Sequence, residues 1–125
     1  MTDADILLLY VTSPEASARF YARLLEREPT EASRTFVLLP LASGLALGLW
    51  ARDGVEPAPA ASGGGGEIGF KVKGAGAVDA THADWRAKGA SIALPPTDLD
   101  FGRSFVALDP DGHRLRVYAS AEEPH

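Results

Sequence analysis

The residues with most chemistry to offer lie near the end of the chain, in Asp109-Pro110-Asp111-Gly112-His113-Arg114-Leu115-Arg116-Val117-Tyr118. Carboxylates, an imidazole, guanidiniums and a phenol in one short stretch are the groups of a cation site or a general base. Their order narrows the choice. Asp-Pro-Asp-Gly carries turn chemistry: a side-chain acceptor, a ring-fixed φ, a second acceptor and a glycine free to take positive φ. Asp109 and Asp111 share the opening of a calcium loop, but its remaining ligands and closing Glu are missing, so both read as turn residues. Beyond the turn, Leu115 and Val117 alternate with Arg114, Arg116 and Tyr118. That is strand periodicity, with one row buried and the arginines and tyrosine on the other.

No catalytic residue stands out elsewhere. Val78, His82 and Trp85 fall at i, i+4 and i+7, so His82 belongs to a helix's packing stripe; His113 sits in the turn and His125 in the terminal tail. There is no Gly-x-Ser-x-Gly elbow and no metalloprotease histidine pair. The absence of cysteine excludes disulfides, thiolate metal sites and thiol nucleophiles. Gly63 to Gly66 are not followed by the Gly-Lys-Ser/Thr of a phosphate loop.

Aromatic residues are the other candidates. In Leu45 to Trp50, the leucines 45, 47 and 49 form one row and Ala46, Gly48 and Trp50 the other, so two near-absent side chains beside an indole predict room above the sheet. By the same parity Tyr10 shares a row with Ile6 and Leu8, and Tyr118 follows Arg116. Aromatic walls beside a gap suit a flat ligand. Phe36, Phe101 and Phe105 are further candidates whose facing the sequence leaves open.

The elements that must position these residues come twice. Ile6–Val11 is a short apolar run, suited to a strand covered on both faces. Ser13-Pro14-Glu15 supplies a cap, a first-turn proline and an acid at the positive end of a helix dipole. The stripe Phe20, Tyr21, Leu24 and Leu25 runs to a stop at Glu28-Pro29. Strands follow at Thr35–Leu39 and Leu45–Trp50, joined through Ser43-Gly44. Ala51 to Gly66, rich in Pro and Gly, reads as a flexible connector with almost nothing to bury. The pattern then restarts with a strand at Glu67–Lys73, a helix from about Ala77 to Lys88 closed by Gly89, and strands near Ser91–Leu94, Arg103–Leu108 and Arg114–Ala119. Each half is a β-α-β-β-β unit too small to fold well alone, so the halves are expected to pair into one curved, partly closed sheet with a concave cleft.

Composition bounds the rest. With 125 residues and 46% hydrophobic content, one globular domain is expected. A net charge of -5 without any Lys/Arg cluster argues against nucleic-acid and anionic-membrane partners. The acidic start Met1-Thr2-Asp3-Ala4-Asp5 is unlike a signal peptide, and no apolar run approaches the roughly 20 residues of a membrane helix. A soluble, cytoplasmic protein is expected.

Two such units, with Phe20-Tyr21 in the first helix and Asp109-Pro110-Asp111-Gly112-His113 before the last strand, resemble the vicinal oxygen chelate superfamily over the whole chain. That superfamily includes glyoxalase I, ring-cleaving dioxygenases, fosfomycin-resistance enzymes and bleomycin-resistance proteins. The resemblance implies an α+β fold of two βαβββ modules forming a curved, partly closed mixed sheet with helices outside. Module one spans 5–50, the linker 51–66 and module two 67–120. Enzymes of the superfamily hold a divalent metal on His or Glu from both modules. Here the corresponding positions are Ile6, Trp50, Glu67 and Arg116, leaving one possible ligand, so no metal and no cofactor are expected. Glu67 and Arg116 are expected either to pair across the metal position or to form an ordinary surface ion pair.

Within the superfamily the chain most resembles the phenazine-resistance branch, which sequesters a planar tricyclic antibiotic instead of destroying it. The match is carried by Tyr10-Val11, Glu28-Pro29, Ala46-Leu47, Leu49-Trp50, Glu56-Pro57, Glu67-Ile68-Gly69, Trp85, Thr97-Asp98, Phe101-Gly102-Arg103 and Arg116-Val117. It implies a metal-independent, homodimeric binding protein for a planar aromatic compound, with Tyr10, Trp50, Glu67, Phe101, Arg103, Arg116 and Tyr118 as ligand-binding residues. The alternative is a glyoxalase- or dioxygenase-like enzyme of the same superfamily, with Glu67 as a base if it is metal-free.

Overall fold

A computed structural model describes residues 2–120. The chain divides into two compact units between Ser62 and Gly63. Each is an α+β module of one helix and a four-stranded mixed sheet, and the topology of the first is repeated in the second.

In the first unit the elements are β1 (Ile6–Val11), α1 (Pro14–Leu25), β2 (Glu31–Ala32), β3 (Phe36–Pro40) and β4 (Ala46–Ala51), in the sheet order β1-β4-β3-β2. The helix α1 carries the chain from β1 to β2, and two reversals then make β4 run parallel to β1, with β3 antiparallel to both its neighbours. Ser13 caps α1 by accepting from the Ala16 amide at 3.1 Å, with Pro14 in the first turn. The helix ends earlier than Glu28-Pro29: Glu26 adopts φ 55, and the Glu26 and Arg27 amides both donate to the Ala22 carbonyl. Phe20, Tyr21 and Leu24 form its buried stripe, and Leu39, Leu47 and Leu49 are fully buried in the sheet.

Two expectations are corrected in this unit. β1 is not covered on both faces, because α1 packs on one side only; Ile6 and Leu8, on the opposite row, are 38% and 40% exposed. The room predicted above Gly48 is filled. A Cβ built there would lie 2.6 Å from Leu8 Cδ2 and 3.0 Å from Phe36 Cζ, so glycine is where side chains of β1 and β3 meet over the sheet.

The connector is more ordered than its composition suggests. Arg52–Gly54 form a short 3-10 turn, Val55 is buried, and Arg52 Nη2 donates to the Ala61 carbonyl at 2.7 Å. Gly63 lies against the Asp109–His113 turn, where a Cβ would stand 2.8 Å from His113 Nδ1 and 3.1 Å from its amide nitrogen.

The second unit comprises β5 (Glu67–Lys71), α2 (Ala75–Ala87), β6 (Ser91–Leu99), β7 (Gly102–Leu108) and β8 (Arg114–Tyr118), in the order β5-β8-β7-β6. Val78, His82 and Trp85 do form the inner stripe of α2. Phe105 is fully buried and meets the His82 and Trp85 rings edge-on at 5.2 and 5.5 Å. Gly89 takes φ 93, with its amide donating to Arg86 and that of Ala90 to Trp85, which closes the helix in a Schellman motif. β6 runs five residues past the predicted Leu94, to Leu99, through Pro95 and Pro96. It can do so because it is the edge strand and its register with β7 shifts on both sides of Leu94. His125 lies outside the described residues.

Candidate functional site

The Asp109–Gly112 turn aims β8 at the sheet centre. Asp109 is buried, and its Oδ1 accepts from the Asp111 and His113 amides at 2.9 and 2.8 Å, while Gly112 takes φ 86. That oxygen is engaged by the backbone, in keeping with a structural role. From the turn, Leu115 and Val117 go into the core and Arg114, Arg116 and Tyr118 to the opposite face.

On that face Glu67, which opens β5, meets Arg116. Arg116 Nε donates to Glu67 Oε1 at 2.7 Å and Nη2 to Oε2 at 2.9 Å, a two-pronged guanidinium-carboxylate pair. The third nitrogen, Nη1, donates to Ser104 Oγ at 3.0 Å; Ser104 is fully buried on β7. Arg114 Nε also approaches Glu67 Oε2 to 3.0 Å but is not well aligned for a hydrogen bond, so that contact acts mainly through charge, with a smaller hydrogen-bonding contribution. The hydrogen bonds from Arg116 hold the Glu67 carboxyl below the ordinary value of 4.5 against the opposing effect of burial, and both arginines add by charge. Glu67 in turn raises Arg116. The ion pair is therefore formed and fixed on the sheet face.

Beside it stands an aromatic pair. Tyr118 lies over Gly69, where a Cβ would come within 3.4 Å of its Cε1, and meets Phe101 edge-on at 6.4 Å between ring centres. Phe101, in the β6–β7 turn, is 48% exposed. Glu67, Arg116, Phe101 and Tyr118 thus belong to one surface of the second unit. Arg103 does not join them. Alternation along β7 turns it to the helix side, where it bonds Asp79 of α2 at 2.8 Å and Asp98 of β6 at 3.0 Å.

Tyr10 and Trp50 are register partners on β1 and β4, with ring centres 6.3 Å apart at 81°. They touch each other edge to face and do not stand as two parallel walls around a slot. Phe36 is the register partner of Trp50 on the other side. Ser104 escapes a reading of the sequence because only the β7–β8 register, which sets it opposite Tyr118, puts it on the arginine face.

Residues 4–117 match the Glyoxalase/Bleomycin resistance protein/Dioxygenase superfamily, and the chain belongs to that family. It is 32% identical over 120 residues to the phenazine antibiotic resistance protein EhpR of Enterobacter agglomerans, covering 90% of this chain and 88% of that protein. A protein from Agrobacterium tumefaciens solved by solution NMR is 50% identical, with a TM-score of 0.88 over 97% of this chain and 99% of its own. A glyoxalase/bleomycin resistance protein/dioxygenase from Nocardioides shares the fold at 24% identity, with a TM-score of 0.85 over 100% of this chain and 89% of its own.

The residues present do not fit the metal that enzymes of this superfamily carry. At the corresponding positions Ile6 and Trp50 offer no donor, Arg116 is a permanent cation, and both oxygens of Glu67 are bonded to it. Among the described residues no group of three or more His, Asp or Glu is placed to hold a metal ion. No helix among them is long and apolar enough to cross a membrane.

Proposed function

We propose that this protein binds a planar aromatic, antibiotic-like compound of the phenazine type without a metal ion, and protects the cytoplasm by sequestering it. The observation that carries this reading is the two-pronged Glu67–Arg116 pair. It puts fixed, complementary charges where enzymes of the superfamily need free metal ligands, and leaves a polar anchor beside aromatic rings. The similarity to EhpR points the same way. Contacts between a flat ligand and rings such as those of the Tyr118–Phe101 pair in the second unit contribute about 0.5–1.5 kcal/mol each beyond area burial. Several of them together with buried area are consistent with micromolar affinity, about -8 kcal/mol.

The test is a fluorescence titration with phenazine and other fused-ring aromatics, with and without a chelator, on the wild type and on Trp50→Leu. Saturable quenching that is indifferent to chelator and diminished in the variant is the expected result; Trp85, buried against Phe70 and Phe105, supplies the residual emission. Absence of any response, or a response that chelator abolishes, would overturn the reading. The homodimer implied by the family resemblance is part of the same proposal. A purely monomeric mass in sedimentation equilibrium at micromolar concentration would remove it.

A further inference from the structure

The charges on the β5–β8 face do not balance. Glu67 is matched by Arg116, whose three nitrogens are all bonded, two to the carboxylate and one to Ser104. Arg114 then brings a second positive charge to the same carboxylate. Among the described residues its one ionic contact is the 3.0 Å approach of Nε to Glu67 Oε2, and that Nε, shielded from solvent, makes no well-aligned hydrogen bond there. The Arg114 side chain is 40% exposed, against 19% for Arg116, so it is the guanidinium an incoming group can reach. This surplus cation sits on a chain whose net charge is -5 and which disfavours anions at long range.

Position gives the charge a use. Arg114, Arg116 and Tyr118 occupy alternate positions of one strand, so Arg114 and Tyr118 mark the two ends of a row about 13 Å long at roughly 3.3 Å per residue. The Tyr118–Phe101 pair forms the apolar end and Arg114 the cationic end, with the neutralised Glu67–Arg116 pair between them. A fused aromatic ring with an acidic substituent at one end is complementary to that sequence of surfaces. A guanidinium also matches a carboxylate in shape, offering parallel N–H donors to its two oxygens.

We propose that Arg114 is a specificity-determining residue that takes the carboxylate of the ligand, so that the compounds bound are planar aromatic carboxylates and not neutral rings. This rests on the function proposed above, of which it names the ligand class.

The experiment compares phenazine-1-carboxylate with its neutral amide, phenazine-1-carboxamide, by calorimetry on the wild type, Arg114→Gln and Arg114→Lys. A charge-assisted contact at a partly exposed site is expected to favour the acid about tenfold in the wild type. Arg114→Gln brings the ratio of the two affinities to about one, Arg114→Lys retains part of the preference, and raised salt weakens the acid alone. Equal affinity of acid and amide for the wild type, or a preference that survives Arg114→Gln, overturns the inference while leaving the binding function standing. Failure of both compounds to bind the wild type overturns the function and the inference together.

Discussion

Both oxygens of the Glu67 carboxylate are bonded to a single guanidinium, that of Arg116, at 2.7 and 2.9 Å. Because Arg116 lowers the Glu67 pKa in the folded state, this pair stabilises the protein most when the carboxylate is charged in both states. The contribution is complete above about 4.5, the ordinary carboxyl value, and is lost as pH falls from there through the lower folded value. Glu67→Gln is expected to cost about 1 kcal/mol at pH 7, with the gap between variant and wild type closing below pH 4.5. Urea denaturation of both proteins across pH 3 to 8 measures it. A gap that widens toward acid would contradict the pairing.

Arg103 and Arg116 offer a paired test of face assignment. Arg103 bonds Asp79 and Asp98 on the helix side, and Asp79 and Asp98 side chains are 53% and 82% exposed. Arg103→Gln should therefore change stability by less than about 1 kcal/mol and leave the affinity for planar aromatics as it is. Arg116→Gln should weaken binding severalfold, since it also leaves Glu67 without its partner. Affinity lost equally in both variants would place the binding surface elsewhere.

The glycine run is not uniform. A Cβ at Gly63 would crowd His113 Nδ1 at 2.8 Å and two backbone atoms, the His113 nitrogen at 3.1 Å and the Asp111 oxygen at 3.2 Å, whereas one at Gly65 or Gly66 meets nothing within 4 Å. Gly63→Ala is expected to destabilise by about 1 kcal/mol through overpacking of the turn. Gly65→Ala should be neutral or stabilise by up to about 1 kcal/mol, by restricting the unfolded chain. Thermal melts of the two variants separate the cases, and identical melting points would refute the contact.

Local chemistry was the part of the structure readable in advance. Ser13-Pro14, Gly89 and the Asp109–Gly112 turn are decided within a few residues by capping, left-handed φ and side-chain acceptors, and each appears where the sequence predicts. The parity of Leu115 and Val117 likewise separates core from site on β8. What could not be read depends on neighbours distant in the chain. Gly48 looks like a gap until Leu8 and Phe36 are known to converge on it, and Arg103 sits in a site-like motif but one residue out of phase with the face that bears Ser104. Tyr10 and Trp50 read as two walls, yet the parallel register of β1 with β4 makes them adjacent. The connector misleads through composition, since one buried valine and one arginine-carbonyl bond suffice to order part of it.

Pro95 and Pro96 bear on the protein's behaviour at high concentration. β6 is bordered by β7 on one side alone, and an open strand edge is a template on which another chain can polymerise. Two consecutive residues without an N–H, set where the register already slips between Leu94 and Thr97, deprive that edge of an unbroken row of donors. The same prolines that hide the strand from its sequence thus act as a guard against fibrillar self-association, allowing a long outer strand to keep its free edge on the surface of its sheet.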